Sequence, residues 1–140
     1  MIVRHLLDFQ ERHQYEDVSW GIPIPVVLRV GLHTVDLKVK LDTGAQYCVF
    51  EREVGERLGL TIEDGQVEQK IQDASGNAFD TFGHEVTIEV LEFEVVSTVF
   101  FAKDPGLPRR NVLGRVGWLD RFRVALIDYD RELYLSPYDD

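Results

Sequence analysis

Between Ile22 and Leu41 the chain alternates. Val35, Leu37, Val39 and Leu41 are apolar, and Asp36, Lys38 and Lys40 stand between them. That period of two is the mark of a strand with one buried face. "IPIPVVLRVG" precedes it, and Gly31 is the natural joint between two strands. "REVGERLG" changes to a helical spacing, with Val54 and Leu58 four apart on one face and Gly59 as a C-terminal stop. From Val67 to Val90 the pattern predicts a long hairpin with its tip at "DASGN", where Gly76 and Asn77 supply turn chemistry.

"EVTIEV" and "FEVVSTVFFA" read as further strands, followed by a turn at "KDPGLPRR". "GRVGWLDRF" has the spacing of a short helix, with Trp118 and Phe122 on its core face, although Gly117 opposes it. "RVALIDYDRELYLS" closes the chain as two strands around "DYD". The first twenty residues are mixed and fit a short helix or an extended arm equally. The expectation is a mostly β fold with one or two short helices, organised as an N-terminal extension (1–20) and one domain (21–140).

A chain of 140 residues is enough for one core. The net charge of −10 argues against nucleic acid as the main partner, because little is present to neutralise phosphates; the basic pair Arg109 and Arg110 is small. No apolar run approaches the roughly 20 residues of a membrane span, so no membrane partner is expected. The opening residues carry Arg4 and Asp8 and do not read as a signal peptide. The lone Cys48 allows no internal disulfide and no multi-thiolate metal site, which points to a reducing cytoplasm. His5, His13, His33 and His84 share no metal-ligand spacing and read as surface or turn residues, so neither metal nor cofactor is expected.

The strand ending at Leu41 runs into Asp42-Thr43-Gly44 and then into Ala45 and "CVF". As turn chemistry the triplet is ordinary. An apolar run straight after it is not ordinary, since it puts Asp42 near the core, where a carboxylate needs hydrogen bonds or a shared proton. A thiol nucleophile at Cys48 with His84 is the weaker reading, because a single cysteine in an apolar run is more often a small buried hydrophobe.

"LDTGA" resembles the catalytic signature of aspartic proteases, and "NVLGR" (Asn111 to Arg115) is similar to the apolar-apolar-Gly-Arg element that follows it in retroviral-type members. From about Ile22 to Leu135 the order of elements matches that retropepsin-like family. The resemblance implies a single-lobe acid-protease β-barrel with a flap hairpin, active as a two-fold homodimer on a peptide or protein substrate. Asp42 would act from both subunits as an aspartic endopeptidase dyad. Thr43 would bond across the axis, and Gly44 would leave its backbone close to the substrate. Ala45, Gln46 and the flap residues Ala74, Ser75 and Gly76 would contact substrate. Leu41, Val112, Leu113, Gly114 and Arg115 would support the loop.

The sequence departs from the pattern in places. Where the viral enzymes carry an acid that pairs with the later arginine, this chain has Gln46, so a buried Arg115 would need another acid such as Asp120. The flap is poorer in glycine. The dimer contact is expected on "VALIDYDRELYLS" instead of interleaved termini. The alternative function is an inactive peptide-binding or dimerisation module of the same fold.

Overall fold

The protein is described by a computed structural model covering residues 1–140. Ten strands dominate: β1 (Glu11–Gln14), β2 (Ile22–Val30), β3 (His33–Leu41), β4 (Val49–Phe50), β5 (Val67–Gln72), β6 (Ala78–Val90), β7 (Phe93–Ala102), β8 (Val112–Leu113), β9 (Phe122–Ile127) and β10 (Glu132–Pro137). The single α-helix, α1, is Arg52–Arg57, and three short 3-10 turns complete the regular structure.

The larger sheet has the order β2-β3-β8-β4-β7-β6-β5, and β2 also pairs with β6. That extra pairing, Val27 to Arg29 against Glu89 to Thr87, closes six strands into a barrel and leaves β5 on the far edge. Inside lie the alternate residues that the period of two selects: Ile24, Val26 and Leu28 from β2, Val35 and Val39 from β3, and Val86 and Ile88 from β6. The β2–β3 turn has Gly31 at φ 57°, where a side chain would be disfavoured. Helix α1 lays Val54 onto the core, followed by Leu58 at its C-cap, and Gly59 at φ 80° ends it.

Strand β6 runs unbroken from the hairpin tip through "EVTIEV", so that segment is half of a long strand and not a separate one. It returns into β7 through Leu91 and Glu92, both at positive φ (49° and 74°). This tight turn is built without glycine, so it left no mark in the sequence.

The helix expected over "GRVGWLDRF" does not form. The segment holds only a 3-10 turn, Leu119–Arg121. Gly117 sits at φ 101°, outside the helical region; its N–H donates to Asp120 Oδ1 (3.0 Å) and its carbonyl accepts from Ser97 Oγ (2.6 Å). Trp118 and Phe122 are nevertheless buried and in contact, with ring centroids 5.1 Å apart.

The N-terminal segment is neither helix nor free arm from residue 11 onward. β1 pairs with β10, giving a second sheet of order β1-β10-β9. Tyr15 is buried beside it and donates its hydroxyl to Asp128 (2.5 Å). No helix of the chain is long and apolar enough to cross a membrane.

Trp118 is the largest fully buried side chain. Trp118→Ala should lower unfolding free energy by about 3–5 kcal/mol in denaturant titration, the cost of a large unfilled cavity.

Candidate active site

Three strands meet at the signature loop. β3 delivers Asp42 at its end, β4 carries the chain away after Cys48, and β8 lies between them, parallel to β3 (Leu41 opposite Leu113) and antiparallel to β4 (Val49 opposite Val112). Backbone bonds then stitch the loop to the segment after β8. Asp42 N donates to Leu113 O (3.0 Å), Arg115 N to Ala45 O (2.9 Å) and Val116 N to Gln46 O (2.8 Å).

Gly114 makes this possible. A Cβ there would fall 2.2 Å from Tyr47 O and 2.8 Å from Ala45 O, both backbone atoms with no room to yield. Leu41 and Leu113 are buried behind the loop, whereas Val112 is half-buried. Asn111 adds a support that sequence reasoning gave no role. Its carbonyl accepts from Lys40 N (2.9 Å) and its Oδ1 from Glu51 N (2.7 Å), tying β3 to the start of α1. The only signal for it was its place at the head of "NVLGR".

Asp42 is half-buried as a residue, and its carboxylate is oriented: Oδ1 accepts from Gly44 N (2.9 Å) in an exposed hydrogen bond. This is the bond by which an aspartate fixes a turn two residues on. Asp42, Gly44, Ala45 and Gln46 line one side of a cleft of about 760 Å³, and Ala74 and Ser75 of the β5–β6 hairpin line another. Gly76 turns the hairpin tip at φ 91° and is not part of the cleft lining. The tip is tied together by Asp73, whose Oδ1 accepts from Ser75 N (3.0 Å), Ser75 Oγ (2.7 Å) and Asn77 N (2.9 Å). These bonds, the Ser75 hydroxyl first among them, lower the Asp73 pKa.

Thr43 is exposed and faces a second, open depression of about 870 Å³ that it shares with Gln46, Arg115, Val116 and Asp120. Here the structure corrects an expectation. Arg115 is exposed, not buried, and has no ion pair; Asp120 bonds Gly117 N and lies 4.0 Å from Arg121 instead. An exposed guanidinium needs no compensating acid, which is why Gln46 can stand where an acid was expected.

Cys48 is fully buried. Its Sγ accepts from Gly114 N (3.4 Å), and burial pushes the thiol up to about 12. Such a thiol holds almost no thiolate at neutral pH. His84 is engaged elsewhere: it is half-buried on β6, with Nε2 2.8 Å from Ile62 O and its ring against Phe101. It is therefore not a surface residue, and it does not pair with the thiol. His13 is likewise half-buried, on β1. Gly114→Ala should lower unfolding free energy by at least about 3 kcal/mol, measured by denaturant titration, because backbone must move to admit the methyl.

The sequence model described as "Aspartyl protease" matches residues 26–116, which include the signature loop, the hairpin and β8. Among solved structures the chain is similar to the EIAV protease complexed with the inhibitor HBY-793, at 23% identity and a TM-score of 0.49, over 71% of this chain and 86% of that one. No curated protein matches it. With its matched segment spanning the barrel and the Asp42 loop, the chain belongs to the aspartyl protease family.

Proposed function

We propose that the protein is a homodimeric endopeptidase in which Asp42 of two copies activates a water molecule. The observation that carries this reading is the placement of Asp42: its carboxylate is oriented by Gly44 N at the edge of a cleft of about 760 Å³, while its neighbour Thr43 is exposed on the adjoining face. One chain supplies one such aspartate. A dyad needs two carboxyl groups within hydrogen-bond reach, so the two loops must meet across a two-fold axis. Thr43 of each copy then lies at the axis.

Two acids held that closely cannot both ionise and share one proton. The ionised carboxylate takes a proton from water as the oxygen bonds to the scissile carbonyl carbon, and the protonated one donates to the carbonyl oxygen. The tetrahedral diol collapses as its C–N bond breaks: the proton taken from water passes to the leaving amine nitrogen, and one diol hydroxyl returns its proton to the other carboxylate as the C=O bond re-forms, restoring the shared proton. The β5–β6 hairpin acts as the flap, closing over a peptide bound in extended form and excluding solvent. The exposed apolar residues Val116, on the loop face, and Leu126 and Ile127, on β9, are available for the partner copy. The expected setting is the cytoplasm.

Asp42→Asn tests the reading, since the amide is nearly isosteric and cannot serve as the base. Cleavage of a diverse peptide library should disappear in the variant, with dimerisation retained. The wild-type rate should peak at mildly acidic pH and fall as both aspartates ionise. Cleavage that survives in Asp42→Asn would refute the dyad. Dimeric protein without cleavage in either form would favour the peptide-binding module.

A further inference from the structure

The cleft carries a charge opposite to that of the chain. The molecule has 25 acidic and 15 basic residues. Four of those basic residues, Lys40, Lys70, Arg109 and Arg110, line the cleft, against two carboxylates, Asp42 and Asp73. The cations outnumber the carboxylates two to one. Neither carboxylate is within ion-pair distance of them, although the charge of Arg109 is among the causes that lower the Asp73 pKa. Asp42 is oriented by Gly44 N, and Asp73 is turned into the hairpin tip by three hydrogen bonds to one oxygen.

Elsewhere several arginines are paired with carboxylates, although the exposed Arg115 is not. Arg29 bonds both Glu89 and Glu94, and Arg52 bonds Glu63 while contacting Glu56. None of the four cleft cations has a carboxylate within ion-pair distance. Arg110 rests instead on the Trp20 ring, 4.8 Å from its centroid, an arrangement that holds a guanidinium in place without cancelling its charge.

The four come from separate parts of the fold: Lys40 precedes Asp42 on β3, Lys70 lies on β5, and Arg109 and Arg110 sit on the loop between β7 and β8. Cations brought together by three elements, on a protein that is otherwise strongly acidic, focus a positive potential where a substrate chain would lie.

Resting on the proteolytic reading of Asp42, we propose that the cleft selects peptide segments with Asp or Glu on either side of the scissile bond. Lys40, Lys70, Arg109 and Arg110 are the specificity-determining residues. An extended peptide directs successive side chains to opposite faces, so acidic residues reach cations on the hairpin side and on the β3 side in alternation. The remaining surface, being acidic, repels such a substrate except at the cleft. The preference therefore fades below about pH 4, where the peptide carboxylates protonate.

The experiment uses the full chain and two fluorogenic peptides, identical except that Glu flanks the cleavable apolar pair in one and Gln in the other. The Glu peptide should have the higher kcat/KM by about fivefold or more, mainly through KM, an advantage of the size expected for two or more partly exposed ion pairs. Raising salt from about 0.1 M to about 1 M should remove most of it. Lys70→Glu combined with Arg109→Glu should turn the ratio in favour of a Lys-flanked peptide, and Arg109→Gln, at an exposed loop position, should narrow the ratio with less risk to folding. Equal rates for the Glu and Gln peptides, or a faster Gln peptide, would overturn the proposal. If neither peptide is cut, the proteolytic reading fails separately. Fluorescence anisotropy of both labelled peptides on Asp42→Asn protein then decides: tighter Glu binding supports acidic selection, and equal binding refutes it.

Discussion

The structure turns on the contact between Gly114 and the loop that carries Asp42. Backbone meets backbone there, with Tyr47 O where any side chain at 114 would begin. That closeness lets β8 pair with both β3 and β4, although the two are separated by the loop it supports. The barrel and the site are thus held by the same few residues. Hydrogen bonds from Asp42 N, Arg115 N and Val116 N fix the loop. Buried Leu41, Cys48 and Leu113 back it with an apolar floor.

The proposed dyad would require a rigid loop. In it, a carboxylate meeting its twin within hydrogen-bond reach could not wander by an ångström without losing the shared proton. Orientation by Gly44 N, the absence of a side chain at 44 and the closed barrel behind supply that constancy. The opposite wall is built differently. The hairpin tip is exposed and is closed by local bonds to Asp73, which is the construction the proposed flap movement would need.

Much of this was legible in the residues. The period of two in β2 and β3, the helical spacing of Val54 and Leu58, and the turn chemistry of "DASGN" each reflect one local rule, and local rules are readable. Asp42-Thr43-Gly44 and Gly114 were identified as a pair, and the family match spans both. What escaped was decided by tertiary partners. Gly117 leaves the helical region because Ser97 and Asp120 capture its carbonyl and its N–H. Leu91 and Glu92 form a tight turn that the strands around them impose. The pairing of β1 with β10 joins residues more than a hundred positions apart. Arg115 is exposed because the loop face opens outward, which no spacing encodes. The cleft cations were half visible as Arg109 and Arg110, whereas Lys40 and Lys70 join them only once the barrel closes.

The claim at the centre of this account is that one active site takes Asp42 from two copies. Mixing wild-type subunits with a growing share of Asp42→Asn subunits, exchanged to equilibrium at constant total protein, tests it most directly. Activity should follow the square of the wild-type fraction, because mixed dimers hold only one catalytic carboxylate. A fall in simple proportion to that fraction would mean that each chain works alone, and would contradict the shared dyad.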